Sequence, residues 1–173
     1  MAEIKQSEMD GGVQTAAAAT SLSVVIPALN EEDGIADIVT RILDTLESLR
    51  AVGVEELEVV VVDDGSTDKT PEIVESMPGV VLVRHETNRG YGAAIKTGFG
   101  AARGELLAFL DADSTYPPEK FADLCTTART QDADVVVGSR RSGVAKSDMP
   151  AVRAAAAAVV PSDRSCSTRS TAS

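Results

Sequence analysis

The stretch Leu106–Pro118 (LLAFLDADSTYPP) joins a short apolar run to two carboxylates one residue apart and then to a double proline. An apolar run of this length, bounded by turn residues, is typical of a buried strand in a parallel sheet. In near-extended backbone, Asp111 and Asp113 point the same way, with Cα atoms about 6.6 Å apart. Their charges repel each other unless a cation lies between them, and Mg²⁺ or Mn²⁺ prefers carboxylate and phosphate oxygens. The stretch by itself leaves two interpretations open, a metal site for a diphosphate substrate or a turn with two solvated acids.

Composition limits the classes of protein to which the chain can belong. Its 173 residues are enough for one domain with a substantial core, and an apolar fraction of 43% suits an α/β protein. The net charge of −11 argues against binding to nucleic acid through broad electrostatic attraction. The two cysteines, Cys125 and Cys166, have no metal-ligand spacing and suit a reducing compartment. No segment approaches the ~20 apolar residues of a membrane span, so we expect no transmembrane helix.

Apolar, β-branched segments alternate with segments of helical periodicity. Strands are predicted at residues 21–28, 57–62, 80–83, 105–110 and 135–137. Helices are predicted from an N-cap at Asn30 to about Arg50, at 70–77, at 93–102 and from Pro118 onward. The alternation predicts an α/β fold with a mainly parallel, doubly wound sheet.

Polar clusters follow four of the predicted strands directly. They are Asn30-Glu31, Asp63-Asp64, Asp111–Asp113 and Ser139-Arg140. Ligands of doubly wound sheets bind beyond the carboxyl ends of the strands, which lie together at one edge. Four clusters at the same edge therefore favour a ligand site over a set of unrelated turns.

The two ends of the chain lack this pattern. Residues 1–20 mix acids, Gly, Gln and Ala without a period and are predicted to be a disordered leader. Residues 144–173 contain a bare alanine run and a Ser/Thr/Arg-rich end, so we expect a disordered or frame-shifted tail. Truncation of the coding sequence and a natural disordered linker both remain open for this tail. The patterned domain is therefore placed at residues 21–143.

Five motifs occur in a fixed order within residues 21–143. They are VVIPALNEE (24–32), VVDDGSTD (61–68), NRGYG (88–92), DAD followed by a double proline (111–118), and GSR (138–140). Each motif is weak alone, but the ordered set resembles family 2 glycosyltransferases of the GT-A fold, and dolichyl-phosphate mannose and glucose synthases in particular. The resemblance implies a Rossmann-like, mainly parallel sheet with helices on both faces, here incomplete at the C-terminus.

The resemblance also implies roles for named residues. Asp64 would hydrogen-bond the nucleobase, Asp111 would contact the ribose or the metal, Asp113 would bind the metal, and Arg140 would meet the donor phosphates. The implied nucleotide-sugar site comprises Pro27, Leu29, Glu31, Asp64, Asp111, Ala112, Asp113 and Arg140. The implied ligands of Mg²⁺ or Mn²⁺ are Asp111, Asp113 and Thr115. The single histidine, His85, is assigned no role because a lone histidine is more often structural.

The implied activity is transfer of a hexose from GDP-mannose or UDP-glucose to a polyprenyl or dolichyl phosphate, or to another glycan acceptor. Such an enzyme would work in the cytoplasm or at the cytoplasmic face of a membrane, without binding nucleic acid. Acceptor-side catalytic residues are expected beyond residue 143, so the catalytic residues are unknown. An inactive remnant that binds nucleotide-sugar without transfer is the alternative.

Three other classes of site fit the sequence less well. A dinucleotide oxidoreductase needs Gly-x-Gly-x-x-Gly after the first strand, where this chain has Pro27–Glu31. A phospho-receiver domain has its acid pair after the first strand and a lysine after the last, and neither is present here. A glycosidase uses two facing carboxylates, whereas the neighbouring Asp111 and Asp113 better suit a metal.

Overall fold

The structure is a computed structural model, and it describes residues 20–113, 116–139 and 155–161. In chain order the elements are β1 (Thr20–Ala28), α1 (Ile35–Leu43), α2 (Leu46–Arg50), β2 (Val54–Asp63), α3 (Thr70–Glu75), β3 (Val80–Arg84), α4 (Tyr91–Ala101), β4 (Leu106–Leu110), a 3₁₀ turn (Pro118–Lys120), α5 (Phe121–Thr130), β5 (Val136–Ser139) and β6 (Ala155–Pro161). Strands and helices alternate as the sequence pattern predicts.

The strands form one sheet in the order β3-β2-β1-β4-β6-β5. The neighbours β3, β2, β1 and β4 are all parallel. β6 is antiparallel to both of its neighbours, so β5 runs in the same direction as β4. The mainly parallel sheet is confirmed, and the carboxyl ends of β1 to β5 share one edge.

Helices cover both faces of the sheet, as predicted. One core includes Ile26 of β1 and Phe121 of α5, together with the apolar side of α1. The other core packs α4 against Val25, Val60 and Val62. A Cβ at Gly98 of α4 would collide with the Val25 side chain, so glycine allows this close contact between helix and strand. The alternation of buried side chains along β1 and β2 thus fills two layers.

β6 is the main departure from the predicted organisation. Its seven residues lie in the tail that is predicted to be disordered or frame-shifted, and over Ala155–Pro161 the structure has a strand in place of disorder. Alanine has a weak strand propensity, but β4 offers a row of backbone groups that β6 pairs with. The remainder of the tail and residues 1–19 lie outside the described residues, and the frame-shift hypothesis stays untested.

The segment after β1 also differs from its prediction. α1 begins after Gly34 rather than at Asn30, and Asn30 adopts left-handed backbone with φ of 56°. The single long helix predicted to Arg50 is two helices, interrupted at the buried Thr45, whose hydroxyl donates to the Ile42 carbonyl at 2.6 Å. This side-chain bond competes with regular helical geometry and separates α1 from α2.

Candidate functional site

A cavity of about 360 Å³ opens at the carboxyl edge of the sheet, beyond β1, β2 and β4. Its lining residues are Pro27, Ala28, Leu29, Glu31, Asp64, Asn88, Gly90, Tyr91, Ala94, Asp111, Ala112 and Asp113. The structure therefore brings together every predicted nucleotide-sugar residue except Arg140. Arg140 and the predicted metal ligand Thr115 lie outside the described residues. The ligand roles of all these residues stay predictions.

Asp64 organises one wall of the cavity. It is 4% exposed, and its Oδ1 accepts hydrogen bonds from His85 Nδ1 at 2.6 Å and from the Arg89 N–H at 2.9 Å. Its Oδ2 accepts the Gly90 N–H at 2.8 Å. The other ring nitrogen of His85 lies 3.0 Å from Thr97 Oγ1 on α4. Asp64 thus ties β2 to the loop that precedes α4.

The electrostatics of Asp64 agree with this structural role. Burial would by itself raise the pKa of its carboxyl, but the hydrogen bonds from His85 and from the two backbone N–H groups lower that pKa overall. A carboxylate in this setting is held ionised and accepts three donors. The buried His85–Asp64 pair therefore holds this wall of the cavity in place.

Two loops at the edge are joined by reciprocal hydrogen bonds. The Asn30 N–H donates to Ser66 Oγ at 2.9 Å, and the Thr67 N–H donates back to Asn30 Oδ1 at 2.8 Å. The Glu31 N–H donates to Thr70 Oγ1 at 2.8 Å. These bonds explain the left-handed backbone of Asn30, which a short amide side chain tolerates well. They fix the β1 loop, and with it Leu29 and Glu31, against the cavity.

The acidic end of the cavity is the part lined by Glu31, Asp111 and Asp113. The pKa of Glu31 is raised, first by burial and next by the negative charge of Asp113, with smaller contributions from Asp68 and Asp111. Asp111 also accepts a hydrogen bond from the Tyr91 hydroxyl at 2.5 Å. A divalent cation would relieve the repulsion among these carboxylates, so the residues present fit such an ion.

The described carboxylates do not form a complete metal site by themselves. Within residues 20–113, 116–139 and 155–161, no three His, Cys, Asp or Glu side chains are arranged to hold a metal. Mg²⁺ and Mn²⁺ are commonly bound by one or two carboxylates, with substrate phosphates and water as the other ligands. The donor set around Asp111 and Asp113 matches this pattern.

Sequence reasoning misses two side chains of the site. Tyr91 belongs to the NRGYG motif without an implied role, yet it lines the cavity and donates to Asp111. His85, which the sequence leaves without a role, is buried against Asp64. The motif could have pointed to Tyr91, whereas no sequence signal indicates that His85 would meet a residue 21 positions earlier.

Among the described helices, none has both the length and the apolar content needed to cross a bilayer.

Comparison with known proteins gives a consistent set of similarities. The family model of "Glycosyl transferase family 2" matches residues 23–149. The low-salt glycan biosynthesis hexosyltransferase Agl6 of Haloferax volcanii is 41% identical over 125 residues, which cover 72% of this chain and 29% of that protein. The dolichyl-phosphate beta-glucosyltransferase ALG5A of Trichomonas vaginalis is 35% identical over 132 residues, covering 71% of this chain and 41% of that protein.

A solved structure shows the same architecture. The mannosyltransferase PcManGT from Pyrobaculum calidifontis, solved in complex with GDP-Man and Mn²⁺, superposes with a TM-score of 0.59 at 29% identity. The match covers 70% of this chain and 36% of that chain. This chain therefore spans 29–41% of the length of these three proteins.

Proposed function

Because this chain belongs to glycosyl transferase family 2, we propose that it transfers a hexose from a nucleotide diphosphate sugar to a polyprenyl phosphate or another glycan acceptor. The family model and the Haloferax volcanii relative confirm the family and the enzyme class that the motifs indicate. The solved structure confirms the GT-A fold. The chain covers 29% and 41% of the two relatives described above, so the activity of a whole enzyme is itself part of the proposal.

One observation carries the proposal. The loops after β1, β2 and β4 contribute their polar residues to a single cavity at the carboxyl edge of the sheet. The surroundings of its carboxylates differ, since Asp64 is buried and hydrogen-bonded while Asp113 is exposed. A nucleotide diphosphate has two matching parts, a base that hydrogen-bonds and a diphosphate that needs positive charge.

The donor would lie across the cavity from Asp64 to Asp113. In this arrangement Pro27, Leu29 and Ala112 supply apolar walls and Glu31 lies at the acidic end. Asp64 Oδ2 accepts one protein N–H among the described residues, and a carboxylate oxygen can accept two, so it can also receive a donor from the base. Asp111 would accept from the ribose or hold the metal.

The diphosphate end would require a divalent cation. Asp111 and Asp113 would hold Mg²⁺ or Mn²⁺, and the predicted ligand Thr115 would add a hydroxyl. The bound ion would supply positive charge to the leaving diphosphate. Arg140, also a prediction, would donate charge-assisted hydrogen bonds to the same phosphate oxygens. The solved structure of a relative with GDP-Man and Mn²⁺ supports this choice of ion.

The acceptor is proposed from chemistry and from the relatives. A polyprenyl phosphate is already anionic, so its oxygen can attack the sugar without a strong general base. The name of the Trichomonas vaginalis relative specifies a dolichyl phosphate. A lipid acceptor would bring the enzyme to the cytoplasmic face of a membrane.

Calorimetric titration of the chain with GDP-mannose and with UDP-glucose, each with and without Mn²⁺, tests donor binding. We expect one of the two donors to bind, and to bind much more weakly when EDTA removes the metal. Incubation of the same mixture with a polyprenyl phosphate tests transfer. Binding without transfer would support the remnant alternative, and absence of binding to either donor would contradict the proposed function.

A further inference from the structure

Tyr91 is held at the cavity by its backbone. Gly90 precedes it with φ of 92°, a conformation that suits glycine, and the Gly90 N–H is bonded to Asp64 Oδ2 and to Asn88 Oδ1, at 2.8 and 2.9 Å. α4 begins at Tyr91, and the N–H groups of Ala93 and Ala94 both donate to the Gly90 carbonyl. The position of the Tyr91 backbone is therefore set by the buried carboxylate of Asp64.

The Tyr91 side chain is not fixed by burial. It is 52% exposed, so packing alone would leave its ring several orientations. Its hydroxyl instead donates to Asp111 Oδ1 at 2.5 Å, the short distance of a hydrogen bond to a charged oxygen. The ring thus spans from the loop held by Asp64 to the acidic end of the cavity.

We infer that Tyr91 is a positioning residue, which orients the Asp111 carboxylate for a divalent cation and the diphosphate bound to it. Asp111 lies directly after β4, close to the negative charges of Glu31 and Asp113. Repulsion among these groups would turn the carboxylate away from its neighbours, whereas a hydrogen bond to Oδ1 restricts its rotation. Carboxylates that bind metals are commonly oriented by such a donor, and its loss weakens metal affinity about 10–100-fold.

This inference rests on the proposed function, and Tyr91→Phe is the variant that tests it. Phenylalanine keeps the ring and removes only the hydroxyl. Mn²⁺ binding is measured by electron paramagnetic resonance, for the metal alone and with GDP or UDP present. Nucleotide binding without metal is measured by calorimetry, and the melting temperature is recorded for each protein.

Tyr116→Phe is the matched control, because Tyr116 is the other tyrosine, is buried against Gly138 and does not line the cavity.

We expect Tyr91→Phe to bind Mn²⁺ about tenfold more weakly in the presence of the nucleotide, while metal-independent nucleotide binding changes less than about twofold. The melting temperature should stay close to that of the wild type, and Tyr116→Phe should bind Mn²⁺ normally. Equal or tighter Mn²⁺ binding by Tyr91→Phe would overturn the inference and leave the proposed function standing. If Tyr91→Phe also lowers the melting temperature and weakens metal-free nucleotide binding about tenfold, the role of Tyr91 is structural and the inference is wrong. If the wild type binds no Mn²⁺ with either nucleotide, both the inference and the proposed function are wrong.

Discussion

The two acidic pairs at the carboxyl edge, Asp63-Asp64 at the end of β2 and Asp111–Asp113 after β4, have similar chemistry but different surroundings. Asp63 and Asp64 are buried, and their oxygens accept protein donors such as the Ser66 and Gly90 N–H groups. Asp113 is exposed, and Asp111 is half-buried with a bond from a tyrosine hydroxyl. Both pairs follow parallel strands of one sheet.

This difference separates carboxylates that hold the fold together from carboxylates that suit a cation. A buried carboxylate is stable only when protein donors or an opposite charge compensate it. Hydrogen bonds compensate Asp64, whereas Asp63 has the Ser66 N–H on Oδ1 and the Arg84 guanidinium 3.4 Å from Oδ2. A carboxylate near other acids at an open cavity gains most from a cation. We therefore expect the pair at the end of β2 to contribute most to stability and the pair after β4 to contribute most to metal-dependent binding.

The largest expected effect is a loss of stability in Asp64→Ala. The substitution leaves His85 and the N–H groups of Arg89 and Gly90 without their buried acceptor. We expect the free energy of unfolding to fall by about 3–5 kcal/mol, measured by urea denaturation. The comparison variant is Asp111→Ala, for which we expect a change within about 1 kcal/mol. If Asp64→Ala and Asp111→Ala lower the free energy of unfolding equally, the two acidic pairs do not differ in their contribution to stability.

A smaller effect is expected on binding in Asp113→Asn. Removing this charge should weaken Mn²⁺-dependent binding of a nucleotide diphosphate by about 10–100-fold, or roughly 1.4–2.7 kcal/mol, while stability is nearly unchanged. Calorimetry in the presence of Mn²⁺ measures the affinity. Asp123→Asn on α5 makes the same change in charge at an exposed acid away from the cavity and should bind normally. Similar losses in both variants would indicate a general effect of net charge.

The smallest expected effect is a pH dependence of opposite sign for Asp64 and Glu31. The pKa of Asp64 is lowered, so its stabilising contribution is present above its ordinary value of 3.8 and is lost as the pH falls further. The pKa of Glu31 is raised, so the contribution of this carboxyl to the free energy of unfolding is highest below its ordinary pKa of 4.5. That contribution declines as the pH rises through the pKa of the folded state. Glu31→Gln should therefore raise the free energy of unfolding at pH 7 by on the order of 0.5 kcal/mol.

Urea denaturation of the wild type and Glu31→Gln at pH 4, 5.5 and 7 measures this difference. The advantage of the variant should shrink toward pH 4, where the wild-type carboxyl becomes protonated. A variant that is less stable than the wild type at pH 7 would show that Glu31 is a structural carboxylate like Asp64.

The strands and the shared edge could be predicted because they depend on local pattern. β1, β3 and β4 begin and end within one residue of their predicted limits, since short apolar runs bounded by turn residues have few alternatives. Parallel strands bring their carboxyl ends to one edge, so the strand pattern by itself predicts that Asp64 and Asp113 lie at the same edge of the sheet.

The features that the sequence pattern does not predict depend on contacts between residues far apart in the chain. β6 forms from an alanine run because β4 offers a strand to pair with, and no local propensity indicates this. The bonds from His85 to Asp64 and from Tyr91 to Asp111 each join residues about 20 positions apart. The left-handed backbone of Asn30 likewise follows from bonds to Ser66 and Thr67 rather than from helix capping. Tertiary partners, not sequence pattern, decide these features.

Anomalous diffraction from a crystal of the chain grown with Mn²⁺ and a nucleotide diphosphate tests most directly whether the carboxylates after β4 hold a divalent cation. We predict one Mn²⁺ within about 2.2 Å of a carboxylate oxygen of Asp111 or Asp113, with Asp64 still bonded to His85 and Gly90. An ion bound at Asp63 or Asp64, or a nucleotide bound outside the cavity at the carboxyl edge, would contradict it.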